Sequence, residues 1–137
     1  MKFIDTNILL YLISTDPKES RKQRIAAEVL EGKDLALSVQ VLQEFYVQAT
    51  RRRASGKGAL THALAAELIE SFLRFPVQEM TVPVLQAALG TKERFGISLG
   101  AASILEAARA QGCATVLSED LAHGQSYGSV KVVNPFR

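Results

Sequence analysis

Short apolar runs alternate along the chain with longer segments whose apolar residues recur every three or four positions. Phe3 and Ile4 form the first run, read as a buried strand that stops at Asp5. Thr6 and Asn7 are helix-starting residues, and an apolar segment over 8–12 continues from them as a helix. Ser14-Thr15-Asp16-Pro17 is a turn. Ile25, Ala26, Val29 and Leu30 stripe a helix over about 20–31, closed by Gly32. A second strand is read over 35–37, and Ser38 caps a helix over 39–52 whose apolar face is Val41, Leu42, Phe45 and Ala49. The same periodicity predicts a helix over 61–75 with Leu64, Leu68, Phe72 and Phe75 on one face. Further helices are expected from Thr81 or Pro83 to about Phe95, and over 99–111 with Ile97, Ala101, Ile104, Leu105 and Ala108 buried. Brief strands are read over 77–80, 114–117 and 130–133, the last preceded by a polar loop over 123–129.

Short strands alternating with helices predict an α/β fold, a small, mainly parallel sheet sandwiched between helices, with helix dominant. No repeat, linker or low-complexity tract interrupts the pattern, so residues 1–137 are expected to form a single domain. A chain of this length buries roughly 68% of its unfolded surface.

Composition narrows the chemistry. The sequence is 47% hydrophobic and 22% charged, as expected of a globular rather than a disordered chain. A net charge of +2 carries no argument for a nucleic-acid partner. The lone Cys113 excludes an internal disulfide and a cysteine-built metal site, and two histidines, His62 and His123, leave little for a histidine-ligated zinc. A metal would therefore have to be held by oxygen, which favours magnesium or manganese. The apolar stretch over 8–13 is far short of the ~20 residues of a membrane span. With Asp5 interrupting the start and no small-residue cleavage site, a cytoplasmic, membrane-free protein is expected.

Asp5 and Asp120 each follow a predicted buried strand, which in a parallel sheet puts both on one rim. Glu44 lies on the 39–52 helix, beside its apolar face, and would have to point back toward that rim. Each has a plainer reading: Asp5 and Asp120 as helix caps, Glu44 as a solvated flank. Three carboxylates meeting in one place repel one another unless a cation sits among them. A magnesium ion held by such oxygens activates water and stabilises in-line displacement at phosphorus, so the constellation reads as metal-dependent phosphodiester hydrolysis. Arg51, Arg52, Arg53 and Lys57 lie in a basic, glycine-containing stretch suited to the phosphates of RNA, or are simply a solvated helix end.

At these residues the sequence resembles a family. Phe-Ile-Asp-Thr-Asn at 3–7, the Glu44 helix, Ser-Glu-Asp-Leu at 118–121 and Asn-Pro-Phe at 134–136 resemble the PIN domain, and more narrowly the VapC-type toxin nucleases of toxin–antitoxin pairs. The resemblance implies a PIN-like α/β/α endoribonuclease dependent on Mg2+ or Mn2+, usually dimeric, and held inactive by a cognate antitoxin. It assigns Asp5 and Asp120 to the metal centre and Glu44 as a second acid, with Asn7 supporting Asp5 and Ser118 as a hydroxyl beside the metal.

One position departs from the family. Where the family places an aspartate two residues after the serine that opens the late helix, Ser98-Leu99 is followed by Gly100. An acid in a first turn is favoured by the helix dipole and can reach a metal on the rim, whereas glycine offers no ligand and costs roughly 1 kcal/mol in helix propensity. Glu106, six positions on, faces elsewhere. Gly100 thus marks a lost metal ligand and catalytic acid, through natural loss or deliberate inactivation, and the intact remainder of the site favours inactivation. Rival readings are a non-catalytic PIN-like module that binds RNA or protein, and a phosphatase or DNA-cleaving relative using the same acids. Ile25, Val29, Phe72 and Phe75 are either dimer or antitoxin surfaces or plain core.

Overall fold

Phe3 and Ile4 point to opposite faces of strand β1 (Lys2–Ile4), and neither has any exposed surface. A strand buried on both faces needs a layer of structure on each side, which is the arrangement of a parallel sheet covered by helices. The computed structural model describes residues 1–51 and 59–137. In chain order its elements are β1, α1 (Thr6–Leu12), α2 (Ser20–Leu30), β2 (Leu35–Ser38), α3 (Val39–Thr50), α4 (His62–Phe72), β3 (Val77–Gln78), α5 (Val82–Phe95), α6 (Leu99–Ala110), β4 (Thr115–Leu117), β5 (Ser126–Tyr127) and β6 (Val130–Val133).

The strands form one sheet in the order β3-β2-β1-β4-β6-β5, parallel throughout except at β5–β6. Register matters for function. Ile4 pairs with Leu117, and the Asp5 N–H donates to the Leu117 carbonyl at 3.0 Å, so the chain leaves β1 and β4 at the same height. Helix α6 packs on β2, β3, β4 and β6, with α5 against it, while α1 packs on α2 and α3. The core runs through both layers, from Phe3, Ile8 and Leu9 to Phe45, Leu105 and Val116. Among the described residues, no helix is long and apolar enough to cross a membrane.

Several expectations shift. Strand β5 lies inside the stretch read as a polar loop: Tyr127 is buried, and Gly128, at φ 65, closes a hairpin onto β6 that the apolar pattern does not announce. Helix α4 ends at Phe72 rather than residue 75, and its buried side is turned by one position, so Ala65 is covered while Leu64 is 51% exposed. The rotation follows from packing against α3, where Phe72 meets Phe45 edge-on at 5.4 Å. Phe72 and Phe75 are core rather than interface, and Ile25 and Val29 are half-buried against it. Helix α3 ends at Thr50, with Arg51 already extended. Arg52, Arg53 and Lys57 lie outside the described residues.

Candidate active site

The end of β1 and the end of β4 deliver Asp5 and Ser118 side by side. Ser118 is fully buried; its hydroxyl donates to Asp5 Oδ2 at 2.7 Å and accepts the Asp120 N–H at 3.1 Å. Asp5 also caps α1, its Oδ1 accepting the Thr6 N–H at 2.7 Å, so the capping and site readings of this residue are both true. Asp120 caps nothing: among the described residues no helix follows it. Asn7 joins the two acids. Its amide nitrogen lies 3.1 Å from Asp120 Oδ2 and 3.5 Å from Asp5 Oδ2, and its carbonyl accepts the Glu119 N–H at 3.2 Å. The fold thus brings together Asp5, Asn7, Ser118 and Asp120 from opposite ends of the chain.

Burial pushes the Asp5 carboxyl above the ordinary aspartate range. Hydrogen bonds from Ser118 and Thr6 pull against that rise, while the charges of Asp120 and Glu44 add to it. Both other acids therefore act on Asp5, and among the described residues no cationic side chain offsets them there. Asp5, Glu44, Asp120 and Gly100 all line one cleft of about 410 Å³. Gly100 leaves its part of the wall open: a Cβ there would meet only the Ser98 hydroxyl oxygen, at 3.9 Å. Arg51 is exposed and lies outside this lining. Among the described residues, no three or more His, Cys, Asp or Glu are close enough together to form a ready metal cage.

Three features in or beside the cleft escaped sequence reasoning. Gln40 and Gln48 line it with Glu44, one turn before and one turn after it on the same side of α3, and that four-residue spacing is visible in the sequence once Glu44 is chosen. Ala101 lines it beside Gly100. Behind Asp120, Glu119 is gripped by the Lys22 ammonium and the Tyr11 hydroxyl. Burial raises the Glu119 carboxyl, but those two hydrogen bonds outweigh it and hold the group below the usual glutamate range. The Asn-Pro-Phe tail has a structural part here: Phe136 packs edge-on against Tyr11 at 4.9 Å, and its carbonyl accepts from Arg21 at 2.8 Å. Glu106 is far from such a task, being bonded to Arg109 and Thr91.

In structure the chain is similar to a toxin-antitoxin complex from Klebsiella pneumoniae, at 18% identity and a TM-score of 0.73, covering 98% of each chain. It is similar to VapC20 of Mycobacterium tuberculosis, described as a sarcin-ricin loop cleaving toxin, at 20% identity and a TM-score of 0.67, over 88% of this chain and 92% of that one. FitAcB from Neisseria gonorrhoeae matches at 20% identity and a TM-score of 0.64, over 99% of each chain. Identities this low speak to the shared fold. No curated protein matches the sequence. The family model for the PIN domain matches residues 2–125, nearly the whole length over which strands, helices and acid cleft have been described, and the chain belongs to the PIN domain family.

Proposed function

We propose that this protein is a ribonuclease of the toxin class that hydrolyses RNA phosphodiester bonds with magnesium or manganese, and that glycine at position 100 leaves this form inactive or weakened. The observation that carries the reading is the placement of Asp5, nearly buried at the end of β1 and tied to Asp120 through Ser118 and Asn7, with Glu44 lining the same cleft. A buried acid surrounded by like charges is a poor structural choice and a good cation site. The donors present fit a hydrated magnesium ion, which takes one or two carboxylates and keeps its waters. Asp5 and Asp120 would hold it, and when bound it would supply an activated water and offset charge growing on the phosphate.

The chain's own residues divide the remaining work. Ser118 and Thr6 fix the two Asp5 oxygens, and Asn7 sets the spacing of Asp5 from Asp120. Glu44, exposed on the α3 wall, is available to accept a proton from the attacking water. Two partners besides RNA belong to the reading: a cognate antitoxin and a second copy of the chain. Val82, Leu85 and Leu89 support a protein partner, as a row of exposed apolar side chains along α5 at helical spacing.

The test restores the acid. Gly100→Asp should bind manganese and cut structured RNA in a metal-dependent way, and should arrest growth of the host that expresses it; the open space at this position admits the side chain. Intact RNA across a panel of structured substrates, with manganese present, would show the nuclease reading to be wrong. Gly100 itself favours one rival, a PIN-like module that binds RNA without cutting it, and manganese titration of Gly100→Asp separates the two.

A further inference from the structure

We propose that Lys22 and Tyr11 are positioning residues: by gripping Glu119 outside the acid cleft, they hold the neighbouring Asp120 in place inside it. This rests on the reading above only for the metal that Asp120 is held ready to bind.

Asp120 stands on a stretch that the fold supports weakly. The Ser118 N–H donates to the Val133 carbonyl at 3.1 Å, and the next such bond runs from Gly124 to Val132 at 2.8 Å. Among the described residues, no backbone N–H over 119–123 donates to a backbone carbonyl, and no helix or strand includes those positions. Side chains carry the segment instead. The Asp120 N–H rests on the Ser118 hydroxyl and the Glu119 N–H on the Asn7 carbonyl, one hydrogen bond each.

The Glu119 carboxylate supplies the remaining constraint. Its Oε1 accepts from the Tyr11 hydroxyl and its Oε2 from the Lys22 ammonium, each at 2.5 Å. Lys22 also donates to the Tyr11 oxygen at 3.2 Å, which closes a triangle and leaves neither carboxylate oxygen free to swing. Asn7 and Tyr11 are one turn apart on α1, so that helix holds the backbone of Glu119 with one residue and its side chain with the other. Glu119 lines the adjoining cleft of about 630 Å³ and not the acid cleft, Asp120 lines both, and Lys22 lines neither. Because the two acids are consecutive, fixing one side chain fixes the backbone from which the other leaves. A partly exposed ion pair elsewhere would add only a little stability. This one closes on the residue next to Asp120.

The experiment compares the parent chain with Lys22→Met and Tyr11→Phe, which keep the apolar stem and the ring. Backbone amide exchange, followed by NMR without metal, reads the hold on the segment. Both variants should speed exchange at Glu119 and Asp120, Lys22→Met by about fivefold, and leave unchanged the Asp5 amide, which is bonded to the Leu117 carbonyl. Manganese affinity, read from the paramagnetic resonance of the free ion, should fall about tenfold in Lys22→Met and less in Tyr11→Phe. The sign discriminates: by charge alone, losing a nearby ammonium strengthens the binding of a cation, and losing a neutral hydroxyl does nothing. In a Glu119→Ala background, Lys22→Met should change neither quantity further, since Lys22 acts through that carboxylate. Unchanged exchange at both amides, exchange that rises at Asp5 as well, a parent affinity that Lys22→Met preserves or raises, or a loss that persists without Glu119 would each overturn the inference. Should the parent bind no manganese while the two amides follow Lys22 and Tyr11, the metal reading fails and this inference stands. Should the parent bind manganese while amides and affinity ignore both variants, the metal reading stands and this inference fails.

Discussion

Two carboxylates are almost equally hidden, Asp5 at 9% exposure and Glu106 at 7%, and they live in opposite surroundings. Glu106 faces a guanidinium: Arg109 donates to Oε1 at 3.0 Å and to Oε2 at 3.3 Å, and Thr91 adds a hydrogen bond at 2.9 Å. Arg109 then reaches the Tyr127 carbonyl at 2.7 Å and the Ser129 hydroxyl at 2.9 Å, tying α6 to the β5–β6 hairpin. It passes so close to Gly128 that a Cβ there would sit 3.1 Å from Nη1. Among the described residues, Asp5 has only neutral donors and two further acids. The first arrangement is complete within the chain and holds the fold together. The second has no such counter-charge among the described residues.

That contrast can be broken by mutation, most severely at the finished pair. Arg109→Ala should destabilise the protein by about 3 kcal/mol, because it strands a buried carboxylate, and urea unfolding would measure it. A loss below about 1 kcal/mol would mean that Glu106 is less dependent on its partner than its burial implies.

At the unfinished site the sign should reverse. A carboxyl whose folded-state pKa is raised binds its proton more tightly when folded, so stability declines as pH rises from the ordinary aspartate value through the raised one. Asp5→Asn keeps a capping side chain and removes the buried charge. It should gain about 1 kcal/mol near neutral pH in metal-free buffer and lose that advantage below about pH 4. Unfolding curves across that range would detect a destabilised Asp5→Asn, which would sink the idea of an uncompensated acid. Manganese should erase the difference by stabilising only the parent chain.

The smallest effect lies between the two. Glu119 is held below its usual range despite its burial, so its contribution is present above the ordinary glutamate pKa and disappears as pH falls through the lowered one. Lys22→Met should cost no more than about 1 kcal/mol at neutral pH, since both groups of the pair are partly exposed, and nothing in acid. A cost that persists at low pH, seen in thermal melts, would assign Lys22 a packing role against Tyr11 and Phe136 instead.

Much of this was readable from local patterning. Asp5 stands out because it at once ends an apolar run, and Asp120 because it lies three residues past another, since parallel strands present their ends on one rim. Gly100 stands out only against the resemblance to the PIN family, which places an acid in that first helical turn, where the dipole favours it. The strand at Ser126–Tyr127 was hidden because two residues carry no periodicity, and the buried Tyr127 is flanked by polar neighbours. Leu64 misled because 64 and 65 both fit a helical stripe with Leu68 and Phe72, and only the position of Phe45 chooses between them. Lys22, Tyr11 and Glu119 gave no signal, since nothing in their spacing links them.

Alternating apolar runs were enough to dictate strands, helices and a parallel sheet, because hydrogen bonding and burial act on periods of two and about four residues. Which distant side chains meet was settled by strand order and register. The pairing of Ile4 with Leu117 puts Asp5 against Ser118 across a separation of 113 residues, and no local rule can measure that distance. The same three-dimensional arrangement decided that one buried acid received an arginine and the other did not.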